Sequence, residues 1–144
     1  TTEIYTLSLH DALPILIKLV FKVKHADRVQ LITDAMRASG MPDGEYTLGG
    51  LPVISSGGAA RLKEGGALAG SVLQLHTALK NVVEVTGLPL SELVKSTSYT
   101  QAQALGLSGI GKLEPGYQAD VVLLDADWKV RKTLVDGEVR YETN

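Results

Sequence analysis

At 144 residues, the chain has the length of one domain or of a piece of a larger protein. Its 44% apolar content can supply a sizeable core. The balance of 14 basic against 16 acidic residues, a net charge of −2, argues against a nucleic-acid-binding face and against an acidic disordered tail. With no Cys there is no disulfide framework, no thiolate metal site and no cysteine nucleophile, and no apolar run approaches the about 18 residues of a membrane span.

Taken in chain order, residues 1–15 show neither helical nor alternating periodicity, and Pro14 interrupts them. Their only charge before residue 11 is Glu3, so the basic start of a secretory signal is missing. Residues 16–24 suit the end of an amphipathic helix with Lys18, Lys22 and Lys24 outward, and Asp27-Arg28 make a turn. Val29–Ile32 predicts a short buried strand ending in Thr33-Asp34-Ala35. A helix feeding such a strand is an α/β signal, and the C-terminal end of a parallel strand is where α/β enzymes place chemistry.

Residues 40–70 are rich in glycine and predict short antiparallel strands at 45–48, 51–55 and 59–62. Ser71 can N-cap a helix over 72–86, with Leu75, Leu79 and Val82 on its apolar stripe and Gly87 at its end. Ser91 can cap a further helix to about Ser96, and a last one covers about 99–105. From Gly109 the period becomes two, predicting strands at 119–124, 128–135 and 138–141, with Asp136-Gly137 as a hairpin turn.

Asp34 is the sharpest chemical candidate. A carboxylate at the mouth of a parallel sheet can bind a metal or act as general base, and the competing reading is a helix N-cap. The stretch Gly65–Ser71 leads into a helix, so its N–H groups could hold an anion or a sugar hydroxyl; the competing reading is a tight turn. The three histidines, His10, His25 and His76, are too far apart to put two ligands on one helix face, so no complete metal site is expected within this chain. His76 reads as packed or at the surface, and His25 as solvated. Arg37 and Arg61 could meet a phosphate, but lone arginines usually sit at the surface.

Three segments together, Leu31-Ile32-Thr33-Asp34-Ala35-Met36, Gly40-Met41-Pro42-Asp43-Gly44-Glu45-Tyr46-Thr47-Leu48-Gly49-Gly50 and Leu68-Ala69-Gly70-Ser71, closely resemble the N-acetylglucosamine-6-phosphate deacetylases in order and spacing. The tail, Gly111–Gly116 with Ala119–Asp125, is similar to the closing segment of many enzymes of the amidohydrolase superfamily.

The resemblance implies an α/β fold, the C-terminal part of a metal-dependent hydrolase TIM barrel with its last strand and helices, plus part of a small β-sandwich domain. Residues 16–108 would belong to the barrel, with inserted strands at about 45–62, and 109–144 to the sandwich. It implies hydrolysis of the acetamide of N-acetylglucosamine 6-phosphate to glucosamine 6-phosphate and acetate, in amino-sugar catabolism. Asp34 would be the catalytic proton acceptor, and Leu68, Ala69 and Gly70 the substrate-binding stretch, acting largely through backbone groups. The cofactor would be a divalent metal, zinc or iron. The partner would be a small-molecule amino-sugar phosphate, with no nucleic acid and no membrane, and the complete enzyme would be a cytoplasmic homo-oligomer.

The family's metal ligands, a glutamate and two histidines, lie upstream of the aspartate and have no counterpart in this chain, so the chain alone is expected to be inactive. The family's substrate-binding histidine falls at Ala12 or Asp11, which leaves His10 a coincidence. Residues 1–15 resemble a translated library adapter and are expected to be a non-native leader. Two rival readings are another amidohydrolase, dihydroorotase-like or deaminase-like, and a non-catalytic α/β module. Those amidohydrolases share the tail but not the middle segments.

Overall fold

The computed structural model describes residues 14–143. Almost all of the expected leader, and His10 with it, lies outside the described residues. Helix α1 runs Pro14–Lys24. Proline suits its first turn because no N–H is needed there. Lys18, Lys22 and Lys24 face solvent as expected, but much of the apolar side is exposed too, and Phe21 alone of the helix is buried. A 3-10 turn, Ala26–Arg28, follows.

The next segment departs from expectation. Val29–Ile32 is extended but pairs with no strand among the described residues, and Ile32 is 70% exposed rather than buried. A parallel strand takes its hydrogen bonds and cover from neighbours on both edges. Helical groups substitute for them on one side. The Leu31 N–H donates to the Ser96 carbonyl at 2.8 Å, and the Gln101 Nε2 donates to the Leu31 carbonyl at 3.0 Å.

Strands β1 (Gly44–Leu48), β2 (Leu51–Ser56) and β3 (Ala59–Leu62) form an antiparallel sheet in that order, as the glycine turns predict. The register opposes Tyr46 to Val53 and Val53 to Leu62, so these residues share one face. Glu45, Ile54 and Arg61 share the other. The inner face closes a small core of Met36, Ala38, Val53, Ala60 and Ala69, flanked by Tyr46, Leu62 and Val72.

Helix α2 begins at Leu75, not at 72, and ends at Thr86. Ser71 does not cap it. Its hydroxyl accepts from the Leu73 N–H at 3.0 Å in a local turn, and its backbone pairs with Ala35, which keeps this stretch extended. Gly87 closes the helix at φ +68, its N–H donating to the Val83 carbonyl at 2.9 Å. Helix α3 (Leu90–Leu93) starts from Pro89, so Ser91 lies inside it and caps nothing, and a 3-10 turn carries Val94–Thr97. Helix α4 is Tyr99–Ala104. Phe21, Ala26, Leu79, Val82 and Leu93 make the helical core.

A second antiparallel sheet orders β4 (Val121–Leu124), β5 (Val130–Val135) and β6 (Glu138–Glu142). Asp136 and Gly137 both have positive φ, +53 and +78, the signature of the expected two-residue hairpin turn. Trp128 was expected in β5. It stands instead in a turn at φ +65, because the Asp125 carboxylate gathers the N–H groups of Asp127 and Lys129, each at 2.9 Å, and bends the chain there. The displaced indole packs on the helical core and ties the C-terminal sheet to it.

Candidate functional site

Asp34 lies at the end of the extended segment, exposed, with φ +48. Aspartate is one of the few residues besides glycine that takes this left-handed conformation readily. The chain then turns through 37–40 without entering a helix, so the N-cap reading of Asp34 does not hold.

Past Asp34 the chain joins the second candidate stretch. Ala35 forms a parallel bridge with Ser71, and the Met36 N–H donates to the Ser71 carbonyl at 2.8 Å. Leu68 pairs antiparallel with Arg61, and the Ala69 N–H donates to the Ala60 carbonyl at 2.9 Å. Residues 68–71 are therefore strung between the β3 edge on one side and the turn after Asp34 on the other. Leu68 is half exposed and Ala69 is buried. Gly70 has φ +95, and a Cβ added to it would lie 3.3 Å from the Leu48 Cδ2 and 3.3 Å from the Met36 Cβ. Both its conformation and its surroundings disfavour a side chain. The structure thus brings Asp34, Leu68, Ala69 and Gly70 into one junction.

The other candidates stand apart from this junction or are already engaged. Arg61 donates from its guanidinium to the Gly66 carbonyl at 3.0 Å, closing the turn after β3. Arg37 is exposed in the turn after Met36. His76 is half-buried on α2. His25, at φ +62, borders an open polar cleft with Asp27, Ser91, Glu92 and Lys95. Among the described residues no group of three or more His, Cys, Asp or Glu is placed to hold a metal ion. The described side chains therefore do not fit a metal centre.

Among the described residues, Asp125 and Lys112 carry shifted titrations, both in the C-terminal segment. The Lys129 N–H is the main cause holding the Asp125 carboxyl below its ordinary value, with Arg131 and the Asp127 N–H adding to it and partial desolvation opposing. Glu114 is the main cause holding Lys112 above its ordinary value, and the Lys112 ammonium lies 4.9 Å from the Tyr99 ring centroid and 5.5 Å from that of Tyr117.

Sequence reasoning missed Met36 and Leu48, the two side chains that frame Gly70. The period of two in β1 does put Leu48 on the same face as Tyr46, but nothing local says what that face meets.

The junction sets an exposed carboxylate, at the end of a segment without a strand partner among the described residues, near a glycine-bearing backbone stretch. The amidohydrolase family model matches residues 23–140, and the chain belongs to that family. It is 44% identical over 128 residues to the N-acetylglucosamine-6-phosphate deacetylase of Lysinibacillus sphaericus, covering 89% of this chain and 33% of that protein. It is 45% identical over 114 residues to a putative N-acetylgalactosamine-6-phosphate deacetylase of Escherichia coli, covering 78% of this chain and 68% of that protein. Its structure resembles the crystal structure of the Thermotoga maritima N-acetylglucosamine-6-phosphate deacetylase, with TM-score 0.78 and 42% identity over 90% of this chain and 36% of that one. A mutant Mycobacterium smegmatis deacetylase in complex with N-acetyl-D-glucosamine-6-phosphate gives TM-score 0.80 and 35% identity, over 91% and 35% of the two chains. The chain thus spans about a third of the length of the Lysinibacillus relative and of these solved deacetylases.

Proposed function

We propose that this chain is the part of an N-acetylglucosamine-6-phosphate deacetylase that carries the proton-transferring aspartate and the backbone that receives the sugar. The observation that carries the proposal is the junction itself, in which the Met36 N–H and the Ser71 carbonyl lock the Asp34 turn to Leu68–Gly70. In the whole protein, water adds to the acetamide carbonyl carbon and the carbon–nitrogen bond breaks. The Asp34 carboxylate accepts the proton the water gives up and returns it to the departing nitrogen, so glucosamine 6-phosphate and acetate result. Leu68, Ala69 and Gly70 offer backbone groups to the sugar, and the missing side chain at Gly70 allows close approach.

Such hydrolysis calls for a divalent ion, zinc or iron. Among the described residues no group of three or more ligands is placed to hold it. We assign residues 16–108 to a barrel domain and 109–144 to a sandwich domain, and the complete enzyme to a cytoplasmic homo-oligomer. No helix among the described residues is long and apolar enough to cross a membrane.

The test is acetate release by the full-length protein carrying this chain, with N-acetylglucosamine 6-phosphate and N-acetylgalactosamine 6-phosphate offered in parallel. Preference for the first supports the proposal. Preference for the second moves the assignment to the activity named for the Escherichia coli relative. Turnover of neither overturns the deacetylase reading.

A further inference from the structure

Leu48 closes β1 at the tip of the hairpin, 40% exposed, on the sheet face it shares with Tyr46. This leucine is not an ordinary tip residue. Its Cδ2 and the Met36 Cβ stand at the same 3.3 Å from the place where a Gly70 side chain would begin. A side chain from the Asp34 turn and a side chain from the hairpin therefore both close off the space where a Gly70 Cβ would stand. At φ +95 it has a wide range of alternative conformations of its own. The bridge to Ala35 holds its neighbour Ser71, and the bridge to Arg61 holds Leu68, but among the described residues Gly70 has no pairing of this kind.

We propose that Leu48 is a positioning residue for the sugar-binding stretch, acting through Gly70. By closing, together with Met36, the space over Gly70, it fixes the backbone of Leu68–Gly70 at the height from which it meets an amino-sugar phosphate. Through Leu48 the tip of the β1–β2 hairpin, and not the sheet as a whole, then takes part in holding the binding stretch. The inference rests on the proposed deacetylase function for its substrate, and on the geometry alone for the contact.

The test compares Leu48→Ala, Leu48→Met and Ile54→Ala in the full-length protein. Ile54 is also 40% exposed and lies in the same sheet, but on the opposite face, so it reports general loosening of the hairpin. Loss of binding shared by ground state and transition state raises KM and spares kcat. Leu48→Ala is expected to raise KM for N-acetylglucosamine 6-phosphate about tenfold with kcat within about twofold. Leu48→Met, which refills the space, should restore KM, and Ile54→Ala should leave it unchanged. An unaltered KM in Leu48→Ala, or an equal rise in Ile54→Ala, overturns the inference. Should the parent protein turn over neither sugar phosphate, the proposed function has failed. The positioning role is then read from amide hydrogen exchange at Ala69, which should quicken in Leu48→Ala and not in Ile54→Ala; equal rates in the two variants overturn it.

Discussion

Met36 and Ser71 are 35 positions apart in sequence, yet the Met36 N–H donates to the Ser71 carbonyl at 2.8 Å. The bond fastens the turn that presents Asp34 to the segment that leads out of the glycine-rich stretch. The parallel bridge between Ala35 and Ser71 and the packing of Met36 in the same core as Ala69 reinforce it. An exposed aspartate thus sits on a turn whose backbone is held in place.

Replacing Asp34 by Asn keeps its size and its tolerance of positive φ but removes the proton acceptor. In the full-length protein, kcat for the sugar phosphate should fall by at least about 100-fold, with KM much less affected. Steady-state kinetics at saturating substrate check it. A near-normal kcat would leave Asp34 a turn residue only.

Gly70→Ala should damage both stability and turnover. The alanine Cβ has to stand 3.3 Å from both the Leu48 Cδ2 and the Met36 Cβ while the backbone stays at φ +95. Strain of that kind costs on the order of 1–3 kcal/mol. Chemical denaturation would show a lower midpoint with an unchanged slope. Gly58→Ala, at a hairpin turn with nothing within 4 Å of its added Cβ, separates backbone strain from crowding.

Asp125 should give the C-terminal sheet an acid-sensitive component. Its folded-state pKa is depressed, so the stability it contributes is complete above the ordinary carboxylate range. That contribution is lost as the pH falls through the lower, folded-state value. Thermal melts of the parent and of Asp125→Asn, taken between neutral and strongly acidic pH, should show a gap that narrows on the acid side. A gap that widens there would contradict the hydrogen-bonding account of the Asp125–Lys129 turn.

The chain by itself should self-associate. Ile32 is 70% exposed on a segment that pairs with no strand among the described residues, and Val122, Val139 and Tyr141 of the second sheet are each at least half exposed. Unpaired apolar edges are templates for other chains. Size-exclusion elution of the 144-residue chain should move to larger size as concentration rises, whereas a monomer at all concentrations with one cooperative melt would show these surfaces to be benign.

Much of the local structure was legible in the amino-acid sequence. The strands at 44–62 and their turns follow from Gly49-Gly50 and Gly57-Gly58, which supply positive φ where hairpins need it. Asp136-Gly137 does the same between β5 and β6. The end of α2 follows from Gly87. The family resemblance drew on Asp34 and Leu68–Gly70 as two separate segments. What only the tertiary structure decided was their relation. Ser71 is a good helix cap by its own chemistry, but the pairing of its backbone with Ala35 and Met36 drew it out of the helix. Val29–Ile32 has the composition of a buried strand, but strand hydrogen bonds belong to pairs, and the groups that meet Leu31 come from Ser96 and Gln101. Leu48 reads as one more apolar residue before a turn until the fold sets Gly70 against it. Turn chemistry is local and is written in single residues; pairing and packing depend on which distant groups the fold brings alongside, and no single segment carries that information.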